Sequence, residues 1–376
     1  MLELLKRIHW SIPVLSLAIY AFGLAGLQRA DELYGASRLF ERQLIWAAIA
    51  IPVMMATVAV PYRSLRSFST PAYLLCVVLL VVVLFMPAIN GSRRWIPLGF
   101  LDFQPSEVTR LTFILALAAH LMHQDRHRNL TGLTIPFLMT FVPLLLVLKE
   151  PDLGTAMLFL PVLFAVLFAA GARTKHLTMA AITGLLLMPV LWTQMNAEQR
   201  SRVVSVFRQQ DGGNAPAGDG FHLHQSKQIL SLGGIRGLTM EDAEALEDPA
   251  ALQLPAARTD FIFVMIGERF GLLGCSVLLL LYAVLIWKGL SVARRTREPF
   301  GRLVVVGIVT MLATQVVINV SMTVGLMPIT GITLPLCSYG GSSLLSTCTA
   351  IALIMNVAFR PGYEVVDSAR FRRMEQ

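Results

Sequence analysis

The sequence predicts an all-α, polytopic membrane protein of about ten transmembrane helices, with one large polar extracytoplasmic loop between the seventh and eighth. Three observations predict it. First, only 14% of the residues are charged and 55% are hydrophobic, with a mean hydropathy of +0.66. Soluble domains carry roughly 25% charged residues, so there is too little polar side chain here to cover a water-facing surface. Second, apolar runs near the roughly 20 residues that a helical span needs recur along the chain. Third, the positive side chains behind the net charge of +8 sit in short loops between those runs. That is the topological signal of a membrane protein rather than the footprint of a nucleic-acid binder.

The first run, at 9–27, follows Lys6 and Arg7 in MLELLKRIHWSIPVL. A charged start before an apolar run also opens signal peptides. No small-residue cleavage site follows cleanly, and nine more apolar runs come after it, so it reads as a retained first helix. The others lie at 43–62, 71–88, 104–122, 135–149, 154–171, 179–195, 261–287, 303–325 and 341–360. The fifth is short and contains Pro136 and Pro143, and only the polar turn Lys149-Glu150-Pro151-Asp152 separates it from the sixth. The pair reads as a transmembrane hairpin in preference to a re-entrant loop.

Alternating the spans gathers the basic loops on one face: Lys6 and Arg7, Arg63 and Arg66, Arg126 and Arg128, Arg173 and Lys175, the Lys288–Arg302 loop, and a tail with Arg360, Arg370, Arg372 and Arg373. The other face is balanced, its first loop setting Arg29, Arg38 and Arg42 against Asp31, Glu32 and Glu41. The positive-inside rule makes the basic face cytoplasmic, with both termini on it. The chain reads as one membrane domain, 1–376, with residues 196–260 as its large loop. Gly and Pro clusters there mark turns, and MEDAEALEDPAAL suits a surface helix. A bland loop of this length is uncommon, which makes it a candidate functional element.

The four cysteines, Cys76, Cys275, Cys337 and Cys348, fall in or beside apolar segments and form no CxxC pair, so neither a zinc site nor a disulfide framework is expected. His222 and His224 alternate in the long loop, but two ligands do not make a metal site. There is no Walker A sequence, GxSxG elbow or dinucleotide fingerprint.

Charges at membrane depth cost roughly 3 kcal/mol each on insertion scales, so those that persist are functional candidates. In NGSRRWIPLGFLDFQPSEVTR, residues 90–110, Arg93 and Arg94 precede an amphipathic turn, while Glu107 and Arg110 share one helix face three residues apart. They read either as an internal ion pair or as substrate ligands, and the two roles are compatible. In EPDLGT, residues 150–155, Pro151 and Asp152 suit the start of a helix, and a simple cap is the plain reading of Asp152. Asp260 precedes the apolar run FIFVMIGERFGLLGC. It reads as an N-cap, or as a carboxylate whose pKa rises by desolvation and so makes a better base. Glu268 and Arg269 are adjacent on that helix and face different directions, so each needs its own partner. In LPLCSYGGSSLL, residues 334–345, Pro335 and Gly340-Gly341 interrupt an apolar stretch. Broken backbone at membrane depth must be buried in protein or line a cavity, and Asn319 is placed to satisfy freed groups; a plain turn is the other reading.

Taken together and in order, these segments resemble the SEDS family (shape, elongation, division and sporulation), whose members include RodA, FtsW and SpoVE. RRWIPLGFLDFQPSE is similar to the family's RW-x-x-LG-x-x-x-FQPSE, and EPDLGT to its QPDLGT. GFHLHQSKQILSLGGIRG is similar to QS-x-x-x-x-x-GG-x-x-G, and RTDFIFVMIGERFGLLG to HTDFIF-x-x-x-EELG-x-x-G. NVSMTVGLMPITGITLPLCSYGGSSLL is similar to N-x-GM-x-x-GL-x-P-x-x-G-x-x-LP-x-x-SYGGSSL. The resemblance spans nearly the whole chain.

The resemblance implies a multi-pass protein of the bacterial inner (cytoplasmic) membrane that polymerises lipid II, a disaccharide-pentapeptide on undecaprenyl pyrophosphate, into glycan strands. It implies a class B penicillin-binding protein as partner. Short tails favour the RodA-like branch, hence the elongation machinery, over the FtsW-like division branch. Membrane lipid is the surrounding partner, and nucleic acid is not expected. The family's proposed catalytic aspartate falls on Asp260 as general base. The expected substrate-binding residues are Arg93, Arg94, Gln104, Ser106, Glu107, Arg110, Asp152, Lys227, Glu268 and Ser338. The leaving pyrophosphate needs positive charge or a divalent cation, Mg²⁺ or Mn²⁺, and no organic cofactor is expected; metal ligands are left unassigned. Four departures stand out: Ala256 where the family has Glu, Arg258 for its His, Arg269 for the second Glu of EELG, and Arg110 for Lys. Arg258 beside Asp260 is expected to lower its pKa and weaken it as a base. Two other classes stay open, a lipid II flippase and a weakly active scaffold for the transpeptidase.

Overall fold

The structure, a computed structural model, describes residues 10–35, 37–87, 93–97, 102–122, 129–207, 209, 219–239, 254 and 256–360. The charges of the N-terminal segment, the Arg126–Arg128 loop, the C-terminal tail beyond Arg360 and the whole acidic MEDAEALEDPAAL stretch lie outside the described residues.

The chain is almost wholly helical. α1 (Ser11–Tyr34), α2 (Leu39–Ala59) and α3 (Tyr62–Val83) lead to a short hairpin in which β1 (Ile96–Pro97) pairs antiparallel with β2 (Asp102–Phe103). Then come α4 (Pro105–Leu121), α5 (Thr134–Lys149) preceded by a 3₁₀ turn over Leu130–Leu133, α6 (Leu153–Ala170), α7 (Thr174–Leu186) and α8 (Met188–Gln194). The long loop supplies α9 (Ala197–Phe207) and α10 (Asp219–Gly233), and α11 (Ile262–Arg295), α12 (Pro299–Thr323) and α13 (Gly341–Phe359) complete the bundle.

Eight helical runs among the described residues are long and apolar enough to cross a membrane. α4, with 17 residues, and the pair α7–α8, broken after Leu186, occupy the places of the expected fourth and seventh spans. The fifth and sixth runs are two full helices packed on each other, α5 and α6. Large apolar side chains such as Leu17, Met55, Phe85, Phe168 and Leu280 stand on the outside. Water would not tolerate so extensive an apolar surface, and the molecule is a membrane protein.

The interior is built where α4, α6 and α12 meet, with α11 packed between α1, α10 and α12. Close approach is sequence-encoded: a Cβ at Gly23 would collide with the Cys337 backbone, so α1 touches the broken 334–340 segment main chain to main chain.

The expected eighth span differs from its reading as one helix. Gly271 leaves the helical region with φ +64 and divides α11. Every residue of Ile262–Glu268 is buried, whereas Leu272, Leu273, Leu280 and Trp287 face outward. The N-terminal part is thus an interior half-helix and the remainder a span. In lipid the freed groups must find partners. They find them in the loop after α10: Leu272 and Leu273 N–H donate to Gly234 O and Ile235 O at 2.9 and 3.1 Å, and Leu238 N–H donates to Glu268 O at 2.8 Å. A Cβ at Gly271 would lie 2.5 Å from Gly237 N, so the GGIRG segment and Gly271 fit only as a pair.

Candidate functional site

A cavity of about 390 Å³ opens where the hairpin, the starts of α4 and α6, α9 and the turn before α11 converge. Six charged side chains line it: Arg94, Arg110 and Arg202, and Glu107, Asp152 and Asp260. Its polar remainder includes Gln104, Thr333, Ser342 and Ser343.

Each charge is placed by local structure. Arg94 lies two residues before β1, which β2 holds in the hairpin; its Nε donates to Glu150 O at 2.9 Å and its Nη2 donates to Pro151 O. Pro105 starts α4 at a position where a missing N–H costs nothing. One turn on, Glu107 and Arg110 are bonded side chain to side chain, 5% and 4% exposed. Asp152 caps α6, accepting from Thr155 N at 3.0 Å and Thr155 Oγ1 at 2.9 Å. Gln104 Nε2 reaches Asp152 Oδ2 at 3.4 Å and Ser106 Oγ at 3.1 Å.

Asp260 sits on a turn braced by its neighbours. Asn319 Nδ2 donates to Asp260 O at 2.8 Å and to Ile332 O at 2.7 Å. Ser338 Oγ donates to Thr259 O at 2.5 Å. The carboxyl is half-buried against the cavity. Burial pushes its pKa up to about 6; the positive charge of Arg94 pulls down, and the negative charge of Asp152 pushes up. A carboxylate with that value is ionised at neutral pH and basic enough to take a proton from a hydroxyl.

Several expected binding residues lie elsewhere. Arg93 is exposed and donates to Leu84 O at 3.0 Å. Lys227 donates to Gln209 Oε1 at 3.0 Å. Ser106 and Ser338 are buried behind the cavity wall and act as braces. Glu268 is fully buried and takes Arg29 Nε and Nη2 at 2.7 and 2.5 Å. That two-pronged pair is what makes a charge tolerable there. Arg269 donates to Ala25 O at 3.0 Å. The expectation that Arg258 lowers the Asp260 pKa is corrected, because the Arg258 guanidinium turns away to Asp31 Oδ1 at 2.9 Å.

Sequence reasoning passed over Arg202, on α9. The RSR pattern in a short helix at the mouth of a polar loop was the available signal. It also passed over Glu150, where the family's QPDLGT has glutamine. Glu150 is fully buried and neither carboxyl oxygen has a hydrogen-bond partner. Burial, and then the charge of Asp152, lifts its pKa to about 9. A buried acid of this kind is neutral in the folded protein and ionised when unfolded over the window from the ordinary carboxylate value, about 4.3, to about 9. The folded state then holds more protons, so stability falls as pH rises through that window. Glu150→Gln is therefore expected to raise the melting temperature in detergent, more at pH 8 than at pH 5. A loss of stability at pH 8 would overturn this account.

The donor set for a resident divalent cation does not assemble: among the described residues no group of three or more His, Cys, Asp or Glu side chains is placed to hold one. Glu107 is committed to Arg110 and Asp152 to its helix cap.

Comparison with known proteins agrees with this architecture. Residues 9–361 match the family model FTSW_RODA_SPOVE, described as cell cycle protein. The chain is 34% identical to stage V sporulation protein E of Bacillus subtilis (strain 168), over 88% of this chain and 89% of that protein. It is 33% identical to the peptidoglycan glycosyltransferase MrdB of Escherichia coli (strain K12), over 85% of each. A solved chain from work on the structural coordination of polymerization and crosslinking by a peptidoglycan synthase complex superposes with a TM-score of 0.81. That chain is 30% identical, with 95% of this chain and 99% of that one covered. With the model matched over nearly its whole length and the cavity built from the segments that carry the resemblance, the chain belongs to the SEDS family of FtsW, RodA and SpoVE.

Proposed function

We propose that this protein is a peptidoglycan glycosyltransferase that polymerises lipid II in the cytoplasmic membrane, with Asp260 as general base. The observation that carries the reading is Asp260 itself, a carboxylate raised to about 6 on the wall of a cavity that also holds Arg94, Arg110 and Arg202. The sugar 4-hydroxyl attacks C1 of the second sugar and gives its proton to Asp260. The C1–O bond to the pyrophosphate breaks, and undecaprenyl pyrophosphate leaves. Arg94, Arg110 and Arg202, the three guanidinium groups that line the cavity, are placed to meet its developing charge.

The relative named as a glycosyltransferase and the synthase complex support this reading and, with it, a class B penicillin-binding protein as partner. Purified protein, alone and with that partner, is incubated with labelled lipid II. Polymer is expected, and its absence in both would overturn the proposal.

The reaction needs the cavity outside the cell and the basic loops within. All four native cysteines are buried, so single labels are readable. Gln228→Cys, at an exposed site on α10, is expected to react with an impermeant thiol reagent in intact spheroplasts, and Arg297→Cys only after lysis. The reverse pattern would invert the topology and remove the cavity from the substrate.

A further inference from the structure

The turn before α11 is gripped on one side through its backbone. Tyr339 N–H donates to Arg258 O at 3.0 Å, Ser338 Oγ to Thr259 O at 2.5 Å, and Asn319 Nδ2 to Asp260 O at 2.8 Å. These three donors come from α12 and the broken segment that follows it. The side chain of Arg258 grips in another direction, on the end of α1. Its Nε donates to Asp31 Oδ1 at 2.9 Å, and its Nη2 donates to Gly35 O at 2.8 Å and Ala30 O at 3.2 Å. The guanidinium lies 5.7 Å from the centre of the Tyr34 ring. Asp31 is fixed in turn, because Ser37 Oγ donates to the same carboxylate oxygen at 2.7 Å. The two charged side chains are 20% and 18% exposed, so water screens them only in part.

We propose that Arg258 and Asp31 form a positioning pair that ties the last turn of α1 to the turn bearing Asp260, and so sets the direction in which that carboxylate faces the cavity. This rests on the reading of Asp260 as the base. Arg258 is a positioning residue: it lines no part of the cavity. A planar guanidinium fork holds three acceptors at once. The imidazole expected here from the family pattern has two ring nitrogens and cannot. The departure at Arg258 is therefore a substitution of one anchor for another, made possible by Asp31 at the end of α1. A shift of about 1 Å in a catalytic group can cost up to about 10² in rate, which sets the scale.

The test uses the full chain in detergent. Arg258→Ala is expected to raise hydrogen–deuterium exchange in a peptide covering 256–264. It is also expected to lower kcat for lipid II polymerisation by roughly tenfold or more, with KM and the acid limb of the pH profile unchanged. Arg258→Lys should recover part of the loss, and the charge swap Asp31→Arg with Arg258→Asp should recover more than either single change. Wild-type exchange and kcat in Arg258→Ala would overturn the pair, as would a moved acid limb at unchanged kcat, which marks a charge-tuning role. If Arg258→Ala is not recovered folded, Asp31→Asn carries the same readouts, and wild-type values in it overturn the proposal. Wild-type protein that makes no polymer sinks the lipid II reading. The exchange measurement then decides the pair by itself.

Discussion

Asp260→Asn will lower lipid II polymerisation by at least about 100-fold, the lower end of what a positioned general base contributes, while expression and membrane insertion stay near wild type. The substitution removes the basic oxygen and little else. The backbone carbonyl of residue 260 is held by Asn319 whatever the side chain. The turn is further fixed by bonds to Thr259 O and Arg258 O. In the wild type the base must be ionised, so activity should fall as pH drops through about 6, not through the ordinary aspartate value near 3.9. Stability runs the other way. A raised carboxyl pKa means that the folded state holds more protons than the unfolded chain between those two values, so ionisation costs stability as pH rises through that window. The amide of the variant carries no such cost. At pH 7 the variant should melt no lower than the wild type, and the gap should close near pH 4. Loss of activity with unchanged or higher stability is the signature of a strained functional group. Near wild-type polymerisation by Asp260→Asn would sink the mechanism; the N-cap reading does not replace it, because the cap of α11 is Phe261 and no side chain caps that helix.

Much of the fold was legible because lipid allows so few solutions. Apolar run length and the sign of the loops place helices such as α5, α6 and α12 within a few residues. What failed to read was backbone that leaves the helix inside protein. The run FIFVMIGERFGLLGC looks like one span, yet Gly271 breaks it and a distant loop, Gly234–Leu238, satisfies the freed N–H groups. No local pattern announces a partner so far along the chain. The candidate site divides on the same line. Asp260, Arg94, Glu107, Arg110 and Asp152 were found because charge in an apolar setting is costly wherever it points, and Gln104 through the FQPSE resemblance alone. Whether such a charge faces a cavity or another helix is a tertiary fact. Glu268 and Arg29 illustrate it: the two are far apart in sequence, and one was read as a ligand and the other as a loop charge, but they neutralise each other. Arg202 shows the converse, since it looks like one more polar-loop cation until α9 brings it to the cavity.

The Glu107–Arg110 pair should show strong coupling. Both side chains are almost completely buried at the start of α4, and each is the other's counter-charge. Removing one partner of a buried pair leaves an uncompensated charge and costs about 3–5 kcal/mol. Glu107→Gln and Arg110→Gln are each expected to lower the heat-resistant folded fraction in detergent by an amount of that order. The double variant leaves no orphan charge, so its loss should fall well short of the sum of the two, by more than the few tenths of a kcal/mol within which independent sites add. Strict additivity would count against a direct pair. The two single variants should also part company in function. Arg110 Nε has no hydrogen-bond partner, and the guanidinium lines the cavity. Glu107→Gln keeps that cation in place for the pyrophosphate, whereas Arg110→Gln removes it and leaves Glu107 as an unpaired anion beside Asp152. At a temperature where both remain folded, Arg110→Gln should therefore raise KM for lipid II more than Glu107→Gln does. Equal KM values would confine Arg110 to holding α4 together.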